Sequence, residues 1–151
     1  MTHTAVRQDP AVTDALQSTL VELIDLSLRA KQAHWNVVGP NFRSVHLELD
    51  EITDLARVTS DQVAERIAAL GGSPDGRAAT IAGVGHGEAF PAGLLDTARV
   101  VELMTDRIDH IAAVSRTRIA ALDDELVSQG ILIAIVEQLE KAAWMLRAQQ
   151  A

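Results

Sequence analysis

Apolar residues return along this chain in steps of three and four over four long stretches, and Gly, Pro or Asp interrupts each junction. That spacing stacks side chains on one face of a helix. The first stretch is expected to run from about Pro10 to Val38, with Asp9 as N-cap and Pro10 at the first helical position. Leu16, Leu20, Leu23, Ser27, Ala30 and His34 form its stripe, and Gly39 and Pro40 stop it. The second runs from about Phe42 to Leu70, with Asn41 or Ser44 as cap, and ends at Gly71, Gly72 and Pro74. The third starts near Pro91 and reaches about Leu122, with Val100, Val101, Met104, Ile108, Ile111 and Val114 as its apolar face. Asp123 or Asp124 is expected to cap the fourth, which continues to about Gln149 through Leu126, Ile133, Val136, Leu139 and Leu146. Gly130 inside it costs about 1 kcal/mol relative to Ala. No strand pattern is found.

Residues 72–90 are rich in Gly and small side chains and leave room for one short helix. At about 1.5 Å per residue each long helix spans roughly 40 Å. The link can cover that length, so the helices on either side of it can lie parallel. The expected architecture is all-α: a four-helix bundle over residues 10–150 with one long crossover, preceded by a short tail over residues 1–9.

Length and composition narrow the function. A chain of 151 residues with 48% hydrophobic and 23% charged positions suits one globular domain. Aromatics make up only 3%, so the core must be aliphatic. The absence of Cys excludes disulfides, iron–sulfur clusters and thiolate zinc sites. The first ten residues carry Arg7 and Asp9 and no apolar run, so no secretory signal is expected. No stretch of about 18 apolar residues offers a membrane span, which leaves the cytoplasm as the default expectation. The net charge of −8, from 13 basic and 21 acidic residues, disfavours nucleic acid as a partner and suits cations.

The chemistry concentrates in KQAHWNVVGPNFRSVHLELDEITDLARVTSDQVAERI, residues 31–67. His46 and Asp50 stand four apart on the second helix, and so do Asp61 and Glu65. Four-residue spacing puts each pair on one face, able to grip one ion. The pairs are about 16 Å apart along the axis, too far for one chain to bring both to one metal. They mirror each other, however, about a point between Leu55 and Ala56. Two copies of this helix packed antiparallel about a two-fold axis there would set His46 and Asp50 of one against Glu65 and Asp61 of the other, giving two equivalent sites. Asp54 and Arg57 obey the same relation and could pair across the axis. His34 could complete the histidine half. Nitrogen and carboxylate donors without sulfur suit Fe(II), Mn(II) or Zn(II).

A blander reading stands beside this one. An i,i+4 acidic pair is commonly just a solvated helix face. His3 in the tail, His86 in the Gly-rich loop and His110 in the third helix read as structural or solvated, and Trp35 and Trp144 as packing. The acidic turn Asp123, Asp124, Glu125 supplies a helix cap, or attracts cations. No E-x-x-H, phosphate loop, dinucleotide-binding glycine pattern or nucleophile motif is present.

AHWNVVGPNF, followed by HLELDE and SDQVAERI, resembles the Dps proteins, the mini-ferritins of starved bacterial cells, over nearly the whole chain. The resemblance implies a ferritin-like fold and an intersubunit ferroxidase centre. Its metal residues would be His34 from one chain and Asp61 and Glu65 from its partner, with His46 and Asp50 beside them and Trp35 as a neighbour. It implies a hollow dodecamer that oxidises Fe(II), preferentially with hydrogen peroxide, and stores ferric mineral. Glu51 resembles a carboxylate that nucleates mineral, whereas Leu47 sits where another acid often occurs. Asp123, Asp124 and Glu125 lie near the turn that admits iron in the family, but Gly130 falls where an acidic pore residue is often found. Many Dps proteins bind DNA through basic tails. This chain has few basic residues at its ends, so DNA compaction with a secondary metal site is the alternative reading rather than the first.

Overall fold

The computed structural model describes residues 9–150. Residues 1–8 of the expected tail, His3 and Arg7 among them, lie outside the described residues. The elements are α1 (Pro10–Asn36), β1 (Val37–Val38), α2 (Phe42–Ala69), α3 (Ala78–Gly83), β2 (Leu95–Asp96), α4 (Thr97–Ala120) and α5 (Leu126–Ala148).

α1 begins as the sequence predicts. Asp9 accepts a 2.9 Å hydrogen bond from the Ala11 amide, and Pro10 occupies the first turn. Its expected stripe, from Leu16 to His34, is buried. It packs lengthwise on α2, whose Val45, Leu49, Ile52, Ala56, Val63 and Ile67 face the core. The reversal between them needs left-handed backbone at Gly39 (φ 111°) and Asn41 (φ 59°), conformations that Gly adopts freely and Asn tolerates. Neither Asn41 nor Ser44 caps α2 with its side chain; the Ser44 hydroxyl instead donates back to the Asn41 carbonyl.

The crossover contains one short helix, α3, and runs along α1. Gln17 exchanges two hydrogen bonds with the Asp75 backbone, and Arg29 donates to the carbonyls of His86 and Glu88. Beneath it lies a buried ionic cluster. Asp25 Oδ2 accepts from Arg29 Nε at 2.7 Å and stands 3.1 Å from Arg107 Nη2, which is 3.2 Å from His86 Nδ1. Burial pushes the Arg107 guanidinium down from its ordinary range, and the Asp25 charge opposes that. The crossover ends where β2 pairs with β1 in parallel, Val37 opposite Leu95 and Val38 opposite Asp96. α2 and α4 therefore leave from the same end and run parallel, the expected bundle connectivity.

Several local expectations are corrected. The third long helix starts at Thr97, not near Pro91. The β1–β2 ladder holds residues 95–96 extended, and Asp96 then caps α4 by accepting from the Arg99 amide at 2.9 Å. A two-residue ladder is too short to leave an alternating pattern, so no strand was visible in the sequence. The fourth is capped by Glu125 rather than Asp123 or Asp124, its Oε2 accepting from the Ser128 amide. Leu126 and Ile133, expected on its apolar face, are 70% and 50% exposed; the buried stripe is Leu132, Ile135, Val136, Leu139, Ala143 and Leu146. Trp35 and Trp144, expected as packing, also stand exposed on this chain.

A Cβ at Gly130 would meet nothing within 4 Å. Gly130→Ala is therefore expected to stabilise the fold by about 1 kcal/mol, mainly by restricting the unfolded chain. A denaturant midpoint that stays put or falls would contradict this.

Candidate metal centre

α1 and α2 meet at their reversal with the two site histidines face to face. The rings of His34 and His46 stack with centroids 3.6 Å apart at 17°, and Phe42 lies 5.0 Å from His46 on α2. His34 Nδ1 is 2.7 Å from the His46 carbonyl oxygen, and His46 Nδ1 is 2.8 Å from the His34 carbonyl oxygen. A carbonyl only accepts, so each Nδ1 must carry the proton. When a ring is neutral its lone pair then lies on Nε2, the atom a cation would bind. A reciprocal backbone lock thus sets both tautomers and both ring orientations, the usual support for metal-binding imidazoles.

Asp50 lies one turn below His46. Its carboxylate is paired with Lys31 of α1, and its Oδ1 is 3.6 Å from His34 Nδ1. The hydrogen bond from Lys31 holds the Asp50 carboxyl below its ordinary range. It is thus charged at neutral pH, but with a lysine as its present partner. The sequence reading missed Lys31. Its signal was the three-residue step to His34, which puts both on one face of α1.

Asp61 and Glu65 are exposed farther along α2. Among the described residues neither makes an ion pair or a side-chain hydrogen bond. The structure thus brings together His34, His46 and Asp50 and leaves Asp61 and Glu65 about 16 Å along the axis. Among the described residues, no three His, Asp or Glu side chains of one chain are grouped to hold a metal. Trp35 is 68% exposed beside His34.

The remaining acidic candidates separate. Glu51 lines a groove between α2 and α5 with Glu48, Gln138 and Lys141. Burial, and then the Glu51 charge, push the Glu48 carboxyl up; Glu48 too was missed by the sequence reading. Asp123 and Asp124 are exposed. Glu125 is occupied: Arg66 Nη2 donates to Oε1 at 2.7 Å and the Ser128 amide to Oε2 at 2.9 Å. Burial opposes its charge, but Ser128 and Arg66 prevail and hold its carboxyl below the ordinary range. His86 is structural, its Nε2 donating to the Ile81 carbonyl, while His110 is largely exposed, 4.0 Å from Glu22.

The ferritin-like domain family matches residues 13–151. The DNA protection during starvation protein of Mycolicibacterium smegmatis is 40% identical over 139 residues, covering 91% of this chain and 75% of its own. The chain belongs to the Dps family of ferritin-like proteins. Among solved structures, a Dps of Deinococcus radiodurans superposes with a TM-score of 0.88 at 33% identity, over 91% of this chain and 84% of its own. The Dps of Microbacterium arborescens, solved in a high-iron form, gives 0.85 at 34%, over 97% and 99%. In this Dps chain the two helices that carry the histidines and the carboxylates are also the two that pack most closely in the bundle. Within one chain, then, the two histidines are tied to each other's backbone and the two carboxylates stand on an exposed helix face. No helix among the described residues is long and apolar enough to cross a membrane.

Proposed function

We propose that this Dps chain protects against iron and peroxide by oxidising Fe(II) at two centres shared across a two-fold dimer, and that it stores the ferric product in a hollow dodecamer. One observation carries the reading. The His34–His46 lock commits both Nδ1 atoms to carbonyls and leaves the Nε2 lone pairs to bind a cation, while among the described residues the mirror-related carboxylates Asp61 and Glu65 make no ion pair. In an antiparallel pairing of α2 helices, each histidine half meets the carboxylate half of a second copy. His34 with Asp61 and Glu65 would bind iron first, with His46 and Asp50 beside them.

Iron is the substrate. Two Fe(II) give up one electron each, hydrogen peroxide accepts both and takes up two protons, and two waters leave. Removing both reactants together prevents one-electron cleavage of peroxide to hydroxyl radical. Mn(II) or Zn(II) would compete for the same donors. Glu51, with Glu48 beside it on the α2 wall of the groove, is a candidate for holding ferric ions as mineral starts. Asp123 and Asp124 are candidates for drawing iron in, whereas Glu125 is tied to Arg66.

DNA compaction is the weaker reading. The chain carries −8, a charge that repels phosphate. Anaerobic Fe(II) loading followed by peroxide, with absorbance in the ferric band and a spin trap for radicals, tests the proposal. Rapid oxidation of two Fe(II) per peroxide without trapped radical is expected. Oxidation no faster than in buffer would reject it.

Lys31 makes a separate prediction. A cation entering beside Asp50 must compete with the ammonium that holds it. Lys31→Met is expected to tighten binding of a redox-inert probe such as Zn(II) by a few-fold, measured calorimetrically. Weaker or unchanged binding would mean that Asp50 takes no part.

A further inference from the structure

The charges nearest the midpoint of α2 are Asp54 and Arg57, and both side chains are exposed. Among the described residues neither makes a side-chain hydrogen bond or ion pair, not even with the other at three-residue spacing. Among the described arginines Arg57 shares this only with Arg43, at the start of α2. Arg29, Arg107, Arg116, Arg118 and Arg147, on the other long helices, each meet a carboxylate within the chain. The same face of α2 exposes two large apolar side chains, Val58 at 68% and Leu47 at 43%. A helix face with free charges of both signs and uncovered apolar groups is one that another surface covers. We propose that the occupant is a second copy of the chain, in which Asp54 and Arg57 of one copy pair reciprocally with Arg57 and Asp54 of the other. This rests on the shared-centre reading above. What it adds is a cause for the register: these two residues decide which α2 pairing forms.

The case lies in the alternatives that the charges penalise. In the mirror register His46 opposes Glu65, Asp54 opposes Arg57, and Asp50, whose charge Lys31 of its own chain balances, opposes Asp61. One helical turn, three or four residues, is the smallest slide that keeps the same faces together. A slide of three in one direction sets Arg57 against Arg57, and a slide of four sets Asp54 against Asp61. A slide of three the other way sets Asp54 against Asp54. A slide of four that way leaves Arg57 facing Asp50, a carboxylate already held by Lys31. Like charges brought together reject a pairing more sharply than exposed opposite charges favour one. The two residues lie within about 3 Å of the axis, measured along the helix, and each shared centre lies on the order of 10 Å beyond. A central lock of this kind would therefore align both centres at once.

The proposal predicts a preference between chains. In a homodimer of Asp54→Arg chains each substituted side chain faces Arg57 of the other copy. In a homodimer of Arg57→Asp chains each faces Asp54. In the mixed dimer both contacts join opposite charges. The two variants, one carrying a mass tag, are co-refolded in equal amounts without metal. Native mass spectrometry then counts dimers, including those released from a larger particle. Mixed dimers should exceed well the random share of about one half. The doubly reversed chain, Asp54→Arg with Arg57→Asp, should dimerise like wild type while each single variant dimerises less. Random mixing with dimerisation intact would overturn the ion-pair register and leave the shared-centre reading standing. A wild-type chain that forms no dimer would remove the shared centre itself. Should the single variants prove insoluble, the double variant decides: wild-type dimerisation supports the proposal and failure to dimerise overturns it. A pair within one chain cannot mimic the result, because the mixed dimer restores contacts only between chains.

Discussion

Two variants that each oxidise Fe(II) slowly are expected to recover activity when assembled together. One carries His34→Ala and His46→Ala, the other Asp61→Ala and Glu65→Ala. Each homodimer lacks half of both centres. In a mixed dimer one centre receives both damaged halves. The other receives intact histidines from the carboxylate variant and intact carboxylates from the histidine variant. That centre should work, returning up to about half of the wild-type rate per mixed dimer if the centres act independently. The geometry supports this test. The histidines are held by backbone carbonyls within α1 and α2, and Asp61 and Glu65 bear no contacts on which the fold depends, so both variants should fold. Were all ligands from one chain, no mixed dimer would contain a whole centre. Activity at background in verified mixed dimers would end the intersubunit proposal.

Asp25→Asn should produce the largest loss of stability available to a change of so few atoms. Asp25 is the carboxylate shared by Arg29 and Arg107, in a cluster where the side chains are 13%, 13% and 7% exposed. The substitution preserves shape and removes the charge, leaving two guanidinium groups under the crossover without their counter-ion. Removing one partner of a buried ion pair costs about 3–5 kcal/mol. Asp109→Asn makes the control. It breaks the Arg147–Asp109 pair, whose side chains are each 51% exposed, and should cost at most about 1 kcal/mol. Chemical unfolding of both variants decides. Equal, small effects would mean that the cluster contributes little. Proteolysis should also reach residues 83–95 sooner in Asp25→Asn, because Arg29, which donates to the His86 and Glu88 carbonyls, would no longer be anchored by Asp25.

That cluster marks a limit of reading a chain by periodicity. Asp25, Glu22 and Arg107 look in sequence like solvated helix positions. Their burial follows from the path of the crossover over α1 and from the approach of α4, which no spacing reports. The same holds for Lys31 and Asp50. Each is an ordinary exposed type in its own helix, and their pairing exists because α1 and α2 lie side by side. Glu125 was visible as an acid in a turn, but its employment by Arg66 and Ser128 depends on where α2 ends. Leu126 and Ile133 were misplaced for a different reason. An apolar residue fits several helical stripes, and packing against α4 selects one.

The four long helices, their caps at Asp9, the stop at Gly39 and Pro40, and the long crossover were legible because they rest on local chemistry. Helix periodicity, side-chain capping and left-handed turns involve residues a few positions apart. The mirrored pairs of α2 were legible for the same reason, since a rigid helix converts sequence spacing directly into distance. So the amino-acid order by itself established the bundle, the family resemblance and the impossibility of closing His46, Asp50, Asp61 and Glu65 around one ion within one chain. Tertiary structure decided what local spacing cannot express: that His34 and His46 fix each other's tautomer through their carbonyls, that Lys31 occupies Asp50, and that the β1–β2 ladder delays α4 to Thr97. Each of these joins groups far apart in the chain, and contacts of that kind exist only once the hydrophobic faces of the helices have chosen their partners.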